Sequence, residues 1–168
     1  MRKFVVTIAF ILAFFLDSVF FGAVGLYSIR PEALIALCVS LGVLMGWAPT
    51  AAIGIPVGIV LDLLCNKYIG LSSIAFLGAA LAGGFFYNKY YADNVIIPAV
   101  TAAAVMFVKE HIMLLTVLLS GGRMSGYLMT LVAHILPASL LTGALCALIH
   151  LILRKTAFAS ARRSIDER

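Results

Sequence analysis

The sequence predicts an all-α fold, specifically a polytopic membrane protein built as a six-helix transmembrane bundle. Of its 168 residues, 64% are hydrophobic and 11% are charged, and the mean hydropathy is +1.14. One soluble core of this size could not bury that much apolar surface. In lipid every backbone polar group must be paired, which leaves helices or a closed barrel. The apolar runs lack the period-two alternation of barrel strands, so we expect helices.

The apolar segments predict six spans, at about 4–27, 31–46, 50–66, 70–87, 95–119 and 126–153. Arg2-Lys3 before the first span imitates a secretory signal, but this span is longer than a signal core and more spans follow, so we expect it to be retained. The second span is about 24 Å long and must thin the bilayer or lean on its neighbours. Pro137 predicts a kink in the last span.

The basic residues predict the orientation of the chain. With six spans both termini lie on one side, and that side carries eight basic residues against three on the other. The eight are Arg2, Lys3, Lys89, Arg154, Lys155, Arg162, Arg163 and Arg168. The positive-inside rule then places both termini in the cytoplasm. We expect residues 1–168 to form a single integral membrane domain whose residues 154–168 form a basic cytoplasmic tail.

Several charged or polar residues lie inside the apolar spans. Counted from the cytoplasmic end of each span at 1.5 Å per residue, Asp17 lies at about 20 Å, Asp62 at about 18 Å, and Lys109 with Glu110 at about 21 to 23 Å. His134 reaches the same depth if the last span tilts. Because isolated charges at this depth are costly, we expect these five residues to form one structural polar layer in the outer half of the membrane.

Lys109 is the one cation of this layer. It lies about 100° around the helix from Glu110, so the two cannot face the same partner. We expect Asp62 to pair with Lys109, with Asp17 competing for it. Three interpretations stay open: a pair that fixes helix geometry, a solvated pocket that opens outward, and a proton relay.

Small residues at helical spacing predict close helix packing. Gly54, Gly58 and Asp62 are four residues apart, so they form one stripe that lets a neighbouring backbone approach. Arg30-Pro31-Glu32 predicts a helix start, with Glu32 in the first turn beside the positive helix end. The residues expected to serve helix packing or partner contact are Pro31, Gly54, Gly58, Gly70, Gly83 and Gly84.

The sequence contains no arrangement typical of an enzyme, a metal site or a cofactor site. Cys146 and His150 share a helix face, but two potential ligands without a third are more typical of packing than of a metal. No Ser and His stand in a nucleophile arrangement. The basic tail has one aromatic residue, Phe158, which does not favour nucleic-acid binding. We expect no catalytic residue, no cofactor, no metal and no small-molecule ligand.

The chain resembles the rod-shape-determining MreD family. The resemblance is carried by Arg30-Pro31-Glu32-Ala33-Leu34-Ile35, by Gly42 to Gly46, by Gly54 through Gly58 to Asp62-Leu63-Leu64, and by Gly70-Leu71 with the small residues up to Gly84. It covers about half of the chain closely, and the length and span number agree over the whole.

The resemblance implies a non-enzymatic membrane scaffold of the bacterial cell-elongation complex, located in the cytoplasmic membrane. Such a protein binds MreC and other elongation-complex membrane proteins, and it helps to control cell shape and peptidoglycan synthesis. A second interpretation is a substrate-binding S component of an energy-coupling-factor vitamin transporter, because these proteins have a similar six-helix fold with a pocket in the outer half. A third is a small proton-coupled transporter, against which the sequence shows no internal repeat.

Overall fold

The computed structural model describes residues 2–20, 31–65, 70–87, 94–119 and 127–156. Within these ranges the chain is helical, which confirms the all-α fold. The helices are α1 (Arg2–Phe15, continued by a π-helical turn Leu16–Phe20), α2 (Ala33–Met45), α3 (Trp47–Cys65), α4 (Leu71–Phe85), α5 (Ile96–Leu119) and α6 (Tyr127–Thr130, a π-helical turn Leu131–Ile135 and Leu136–Thr156). The expected end of the first span at 21–27, the loop containing Lys89 and the tail after Thr156 lie outside the described residues.

Helix α2 is the centre of the bundle. It contacts each of the other helices, and every residue from Ala33 to Val43 is buried. A helix that is apolar on all sides is expected to be enclosed by protein rather than to present one face to a core. This burial explains how a helix of 13 residues, about 20 Å long, is accommodated by leaning on its neighbours.

Consecutive helices run in opposite directions. Helices α2 and α6 run the same way, because three contacts one turn apart join residues that differ by 110 in number, namely Glu32 with Thr142, Ala36 with Cys146 and Ser40 with His150. Helix α4 also runs in the same direction as α2. Gly42 of α2 lies against Ala80 of α4, and four residues earlier on both helices, Cys38 and Phe76 lie beside Gly54 of α3. In contrast, α3 and α4 are antiparallel, since Gly58 faces Ser73 and Gly54 faces Phe76. Helices α5 and α6 are also antiparallel, since Gly143 faces Ala99 and Cys146 faces Pro98.

One end of the bundle therefore carries the ends of α3 and α5 and the beginnings of α2, α4 and α6. The end of α1 lies there too, because Asp17 contacts the first residues of α2. We call this end the hairpin end. It is the end toward which most of the charged side chains inside the bundle are placed.

Close packing of α3 on α4 depends on glycine. A Cβ on Gly58 would lie 2.7 Å from the Cα of Ser73, which real side chains do not tolerate. A Cβ on Gly54 would lie 3.2 Å from Cys38 Sγ. The stripe predicted from the sequence thus faces neighbouring helices inside the bundle, as close backbone approach requires.

The last helix is irregular just before Pro137. The π-helical turn Leu131–Ile135 includes Ala133, and the carbonyl of Ala133 is the one that the ring of a proline four residues later displaces. The irregularity lies where the kink was expected, and it takes the form of a π-helical turn.

Three of the described helices are long and apolar enough to cross a membrane, and they lie at Trp47–Leu64, Ile96–Leu119 and Leu131–Thr156. Three shorter apolar helices accompany them, at Phe4–Ser18, Ala33–Met45 and Leu71–Phe85. Large apolar side chains cover the outside, and Leu119 is 79% exposed. A continuous apolar exterior is typical of a surface that faces lipid.

Candidate functional site: a polar cluster at the hairpin end

Asp17 binds the beginning of α2. The backbone N–H of Ala33 donates to its Oδ1 at 2.7 Å, and the N–H of Leu34 donates to its Oδ2 at 2.9 Å. The first N–H groups of a helix have no partner within the helix, and the helix dipole favours a negative charge there. The carboxylate of Asp17 therefore caps α2 from a different helix, and it ties the end of α1 to the bundle centre.

Lys109 forms its ion pair with Glu32. The ammonium group of Lys109 contacts Glu32 Oε1, and the two side chains are 11% and 19% exposed. Lys109 is also close enough to Asp17 for their charges to interact. We call Asp17, Glu32 and Lys109 the polar cluster. It joins the end of α1, the beginning of α2 and the middle of α5.

This pairing corrects the prediction for Lys109. We expected Asp62 as its partner and Asp17 as the competitor, whereas the ion pair is formed by Glu32. The role predicted for Glu32 also changes, because Glu32 precedes the first residue of α2 and makes no cap with its side chain. Asp17 fills the capping role, which leaves the carboxylate of Glu32 directed to Lys109.

Asp62 is fully buried, and its partners include the backbone at the beginning of α4. Its Oδ2 accepts hydrogen bonds from the N–H groups of Gly70 at 2.7 Å and Ser72 at 3.1 Å. Gly70 adopts a left-handed conformation with φ of 99°, which only glycine adopts at little cost. These backbone N–H groups at the beginning of α4 help to compensate the buried carboxylate.

A polar contact also joins α5 to the beginning of α6. His111 on α5 is hydrogen-bonded through Nδ1 to the carbonyl of Phe107 at 2.8 Å, and through Nε2 to the hydroxyl of Tyr127 at 3.1 Å. Tyr127 is the first residue of α6. Asp17 and Asp62 therefore bind backbone N–H groups at a helix beginning, whereas His111, eight residues before the end of α5, contacts the side chain of the first residue of α6.

Glu110 and His134, the other members of the predicted layer, are half-buried. The charge of Glu110 acts on Lys109, and His134 lies in the π-helical turn of α6. Within the described residues, neither joins the polar cluster by a hydrogen bond or an ion pair. The structure therefore gathers Asp17 and Lys109 with Glu32, and it binds Asp62 to a separate helix beginning.

A polar seam between α2 and α6 continues from the cluster into the bundle. Thr142 Oγ1 accepts from the N–H of Glu32 at 3.2 Å. One turn on, Cys146 Sγ donates to the carbonyl of Ala36 at 3.3 Å, and one turn further Ser40 Oγ and His150 Nδ1 are hydrogen-bonded at 3.0 Å. The sequence predicts that Cys146 and His150 share one helix face, but it does not predict these partners. The residues that make these contacts repeat every four positions on both helices, and this repeat is the feature of the sequence from which the contacts could have been predicted.

The packing residues named from the sequence lie mainly between helices. Pro31 is buried beside the polar cluster. A Cβ on Gly83 would collide with the carbonyl oxygen of Val39, and one on Gly84 would lie 2.5 Å from Trp47 Cβ. Gly70 is the exception, since a Cβ there would meet nothing within 4 Å. These contacts hold α2, α3 and α4 against one another.

The contacts of the buried charged residues are electrostatic and join helices. No group of three or more potential metal ligands occurs among the described residues. Asp17 and Asp62 bind backbone amides, and Lys109 binds Glu32. These contacts position helices relative to one another, which is the work of buried pairs that specify geometry.

The described part of the chain is therefore an all-helical protein with several helices apolar enough to span a membrane. No protein-family model, no curated protein and no solved structure matches the chain.

Proposed function

We propose that the chain is a membrane scaffold of the MreD type, acting in the cell-elongation complex of a bacterium. It crosses the cytoplasmic membrane six times with both termini in the cytoplasm, and it binds an MreC-type protein through helix packing. The observation that carries the proposal is the role of the segment from Pro31 to Gly84. The residues that give the chain its resemblance to the MreD family are also those through which α2, α3 and α4 pack.

The directions of the helices support six crossings. Six alternating spans require α2, α4 and α6 to run one way and α1, α3 and α5 to run the other, which is the pattern of the contacts described above. The shorter helices fit such a bundle, because α2 is enclosed by protein and need not match the bilayer thickness. The eight-to-three distribution of basic residues supports termini in the cytoplasm.

A non-enzymatic role is supported by the use of the buried charges. Asp17, Asp62 and the Lys109–Glu32 pair all join one helix to another. Among the described residues, the carboxylates of Asp17 and Asp62 accept from helix beginnings and Lys109 binds Glu32, so these groups serve helix contacts. Such a bundle presents fixed surfaces to its partners, as a scaffold requires.

The proposal is tested by depleting the protein from a rod-shaped host. We expect wide or round cells and unchanged vitamin uptake, with normal width restored by the wild-type gene. As a matched pair of variants, Gly78→Ala should restore width, because its added methyl group meets open space, whereas Gly58→Val should not, because it collides with Ser73. Normal cell width together with impaired uptake of a vitamin would favour the S-component interpretation instead.

A further inference from the structure

The inward face of α5 becomes uncovered beyond Lys109. Ala102 and Met106 lie on this face and are 0% and 1% exposed, whereas Met113, one turn after Lys109 on the same face, is 36% exposed. Thr116 follows at the next turn and is partly exposed. We call Met113 and Thr116 the open stripe. The bundle therefore encloses this face of α5 only as far as the polar cluster.

The register of the neighbouring helices explains why this face is uncovered. Helix α2 begins directly after Glu32, which pairs with Lys109. Helix α4 begins at Leu71, which lies beside Ile112 of α5. Helix α5 continues to Leu119, about 10 Å beyond Ile112, and no residue of α5 from 112 to 119 is buried. The end of α5 thus projects beyond the beginnings of α2 and α4.

The polar cluster lies at the depth of the hydrocarbon core. Trp47 and Tyr87, at the other end of α2, are exposed aromatic residues of the kind found at a membrane surface. Helix α2 has 13 residues, about 20 Å, against a hydrocarbon core of about 30 Å. Its beginning is therefore about 10 Å below the opposite surface. Charged side chains at this depth face protein or water rather than lipid.

The polar cluster carries an excess of negative charge. Asp17 and Glu32 place two carboxylates beside the one ammonium group of Lys109, and the charge of Glu110 also acts on Lys109. Glu32 Oε2 is buried and has no hydrogen-bond partner among the described residues. A buried acceptor without a donor is costly. The cluster is therefore complementary to one further cation that carries N–H donors.

We propose that the open stripe and the polar cluster form a docking site for a transmembrane helix that carries one basic side chain inside the membrane. Apolar side chains of that helix cover Met113, and its basic group donates to the carboxylates of Glu32 and Asp17. The side chain of Glu32 is 19% exposed, so a turn of the carboxyl group brings Oε2 to this donor. Opposite charges within transmembrane segments pair in this way. This inference rests on the proposed scaffold function and names the chemistry of the partner helix.

The experiment measures association of the full chain with synthetic guest helices in bicelles. Each guest is a leucine–alanine helix of about 20 residues, with Lys, Leu or Glu at about one third of its length from one end, the depth of the polar cluster. Energy transfer between a donor dye on a C-terminal tag of the chain and an acceptor dye on the guest gives the dissociation constant. We expect the Lys guest to bind about tenfold more tightly than the Leu guest, and the Glu guest to bind most weakly. Equal affinity for the three guests would overturn the proposal.

Variants of the chain locate the site. Glu32→Gln should remove the preference for the Lys guest, and Lys109→Gln should increase it, because the cluster then loses its own cation. Asp62→Asn is the matched control and should leave the preference unchanged, since this carboxylate is fully buried and binds the beginning of α4. Met113→Ser should weaken binding of all three guests severalfold, whereas Leu115→Ser, on the opposite side of α5, should not.

The test does not depend on the folding of one variant. If Glu32→Gln does not fold, Asp17→Asn, whose amide oxygen still caps α2, makes the same test. An unchanged preference in the folded variant, or equal binding by Met113→Ser and Leu115→Ser, would contradict the site. So would self-association of the chain that Glu32→Gln abolishes while no guest binds, because the surface would then belong to a second copy.

The guest helices contain no MreC sequence, so their result is separate from the test of the scaffold function. Failure to capture an MreC-type protein would remove that function and leave the preference for the Lys guest in place. Capture of an MreC-type protein without any preference among the guests would remove only the docking site inferred here.

Discussion

The Lys109–Glu32 pair should be strongly coupled in a double-mutant cycle. The two side chains are 11% and 19% exposed, so each charge needs compensation, which Glu32 obtains from Lys109 and Lys109 from Glu32 and Asp17. Removing one partner of a buried pair costs 3 to 5 kcal/mol, because the remaining charge is left without its counterion. Since both groups keep some exposure, we expect the lower end of that range, about 3 kcal/mol, for Glu32→Gln or Lys109→Met alone.

The double variant should lose no more than either single variant. It removes both charges together, so no uncompensated charge remains, and the coupling energy should be about 3 kcal/mol. The free energy of unfolding would be measured by titration with a denaturing detergent in mixed micelles, followed by circular dichroism. Asp62→Asn with Lys109→Met is the matched control. We expect these two losses to add within about 0.5 kcal/mol, because Asp62 binds the beginning of α4.

If the losses in free energy of unfolding for Glu32→Gln and Lys109→Met simply add, the two side chains do not form a coupled pair. The same would follow from strong coupling between Asp62 and Lys109, since that result would restore the pair expected from the sequence. In either case the cation in the bundle would have a partner other than the one that the contacts show.

Further predictions concern the helix beginnings, the glycine contacts and the topology. Asp62→Ala should cost about 1 to 2 kcal/mol of stability and Asp62→Asn less, because an amide oxygen still caps a helix. Thermal unfolding in detergent would compare the two variants. Equal losses would argue against a capping role. Gly58→Ala should cost about 1 to 3 kcal/mol through overpacking against Ser73, whereas Gly78→Ala should gain up to about 1 kcal/mol from helix propensity. The same thermal unfolding measurement would compare them. Similar shifts in melting temperature would contradict the close packing of Gly58 on Ser73. A cysteine at Ser164 should resist an impermeant label applied outside intact cells, and labelling there would reverse the topology.

The sequence predicted those features that depend on position along one helix. Continuous apolar runs predicted helices, and the four-residue spacing of Gly54 and Gly58 predicted a face that a neighbour approaches closely. The shortness of the second span predicted that it thins the bilayer or leans on other helices, and α2 is buried from Ala33 to Val43. Each of these follows from composition and periodicity, which a single helix already contains.

The partners of the charged residues could not be predicted in the same way. A depth count gives the level of Lys109 along its helix axis, but the choice between Glu32 and Asp62 depends on which helices are adjacent and how each is rotated. The partners of Asp62 were not predictable for another reason. They include backbone N–H groups, which every helix beginning offers whatever its side chains.

The polar seam between α2 and α6 was predictable only in part. The spacing of Cys146 and His150 was visible in the sequence, whereas their contacts with Ala36 and Ser40 required the parallel alignment of two helices that are far apart in the chain.

Binding of an MreC-type protein is the most direct test of the scaffold function. The chain would be co-expressed with the tagged MreC-type protein of the same host, extracted in a mild detergent, and captured through the tag, with an unrelated single-span membrane protein carrying the same tag as the control. If the chain is a scaffold of this type, it is retained by the MreC-type protein and not by the control. A folded chain that elutes from both alike would contradict the scaffold function.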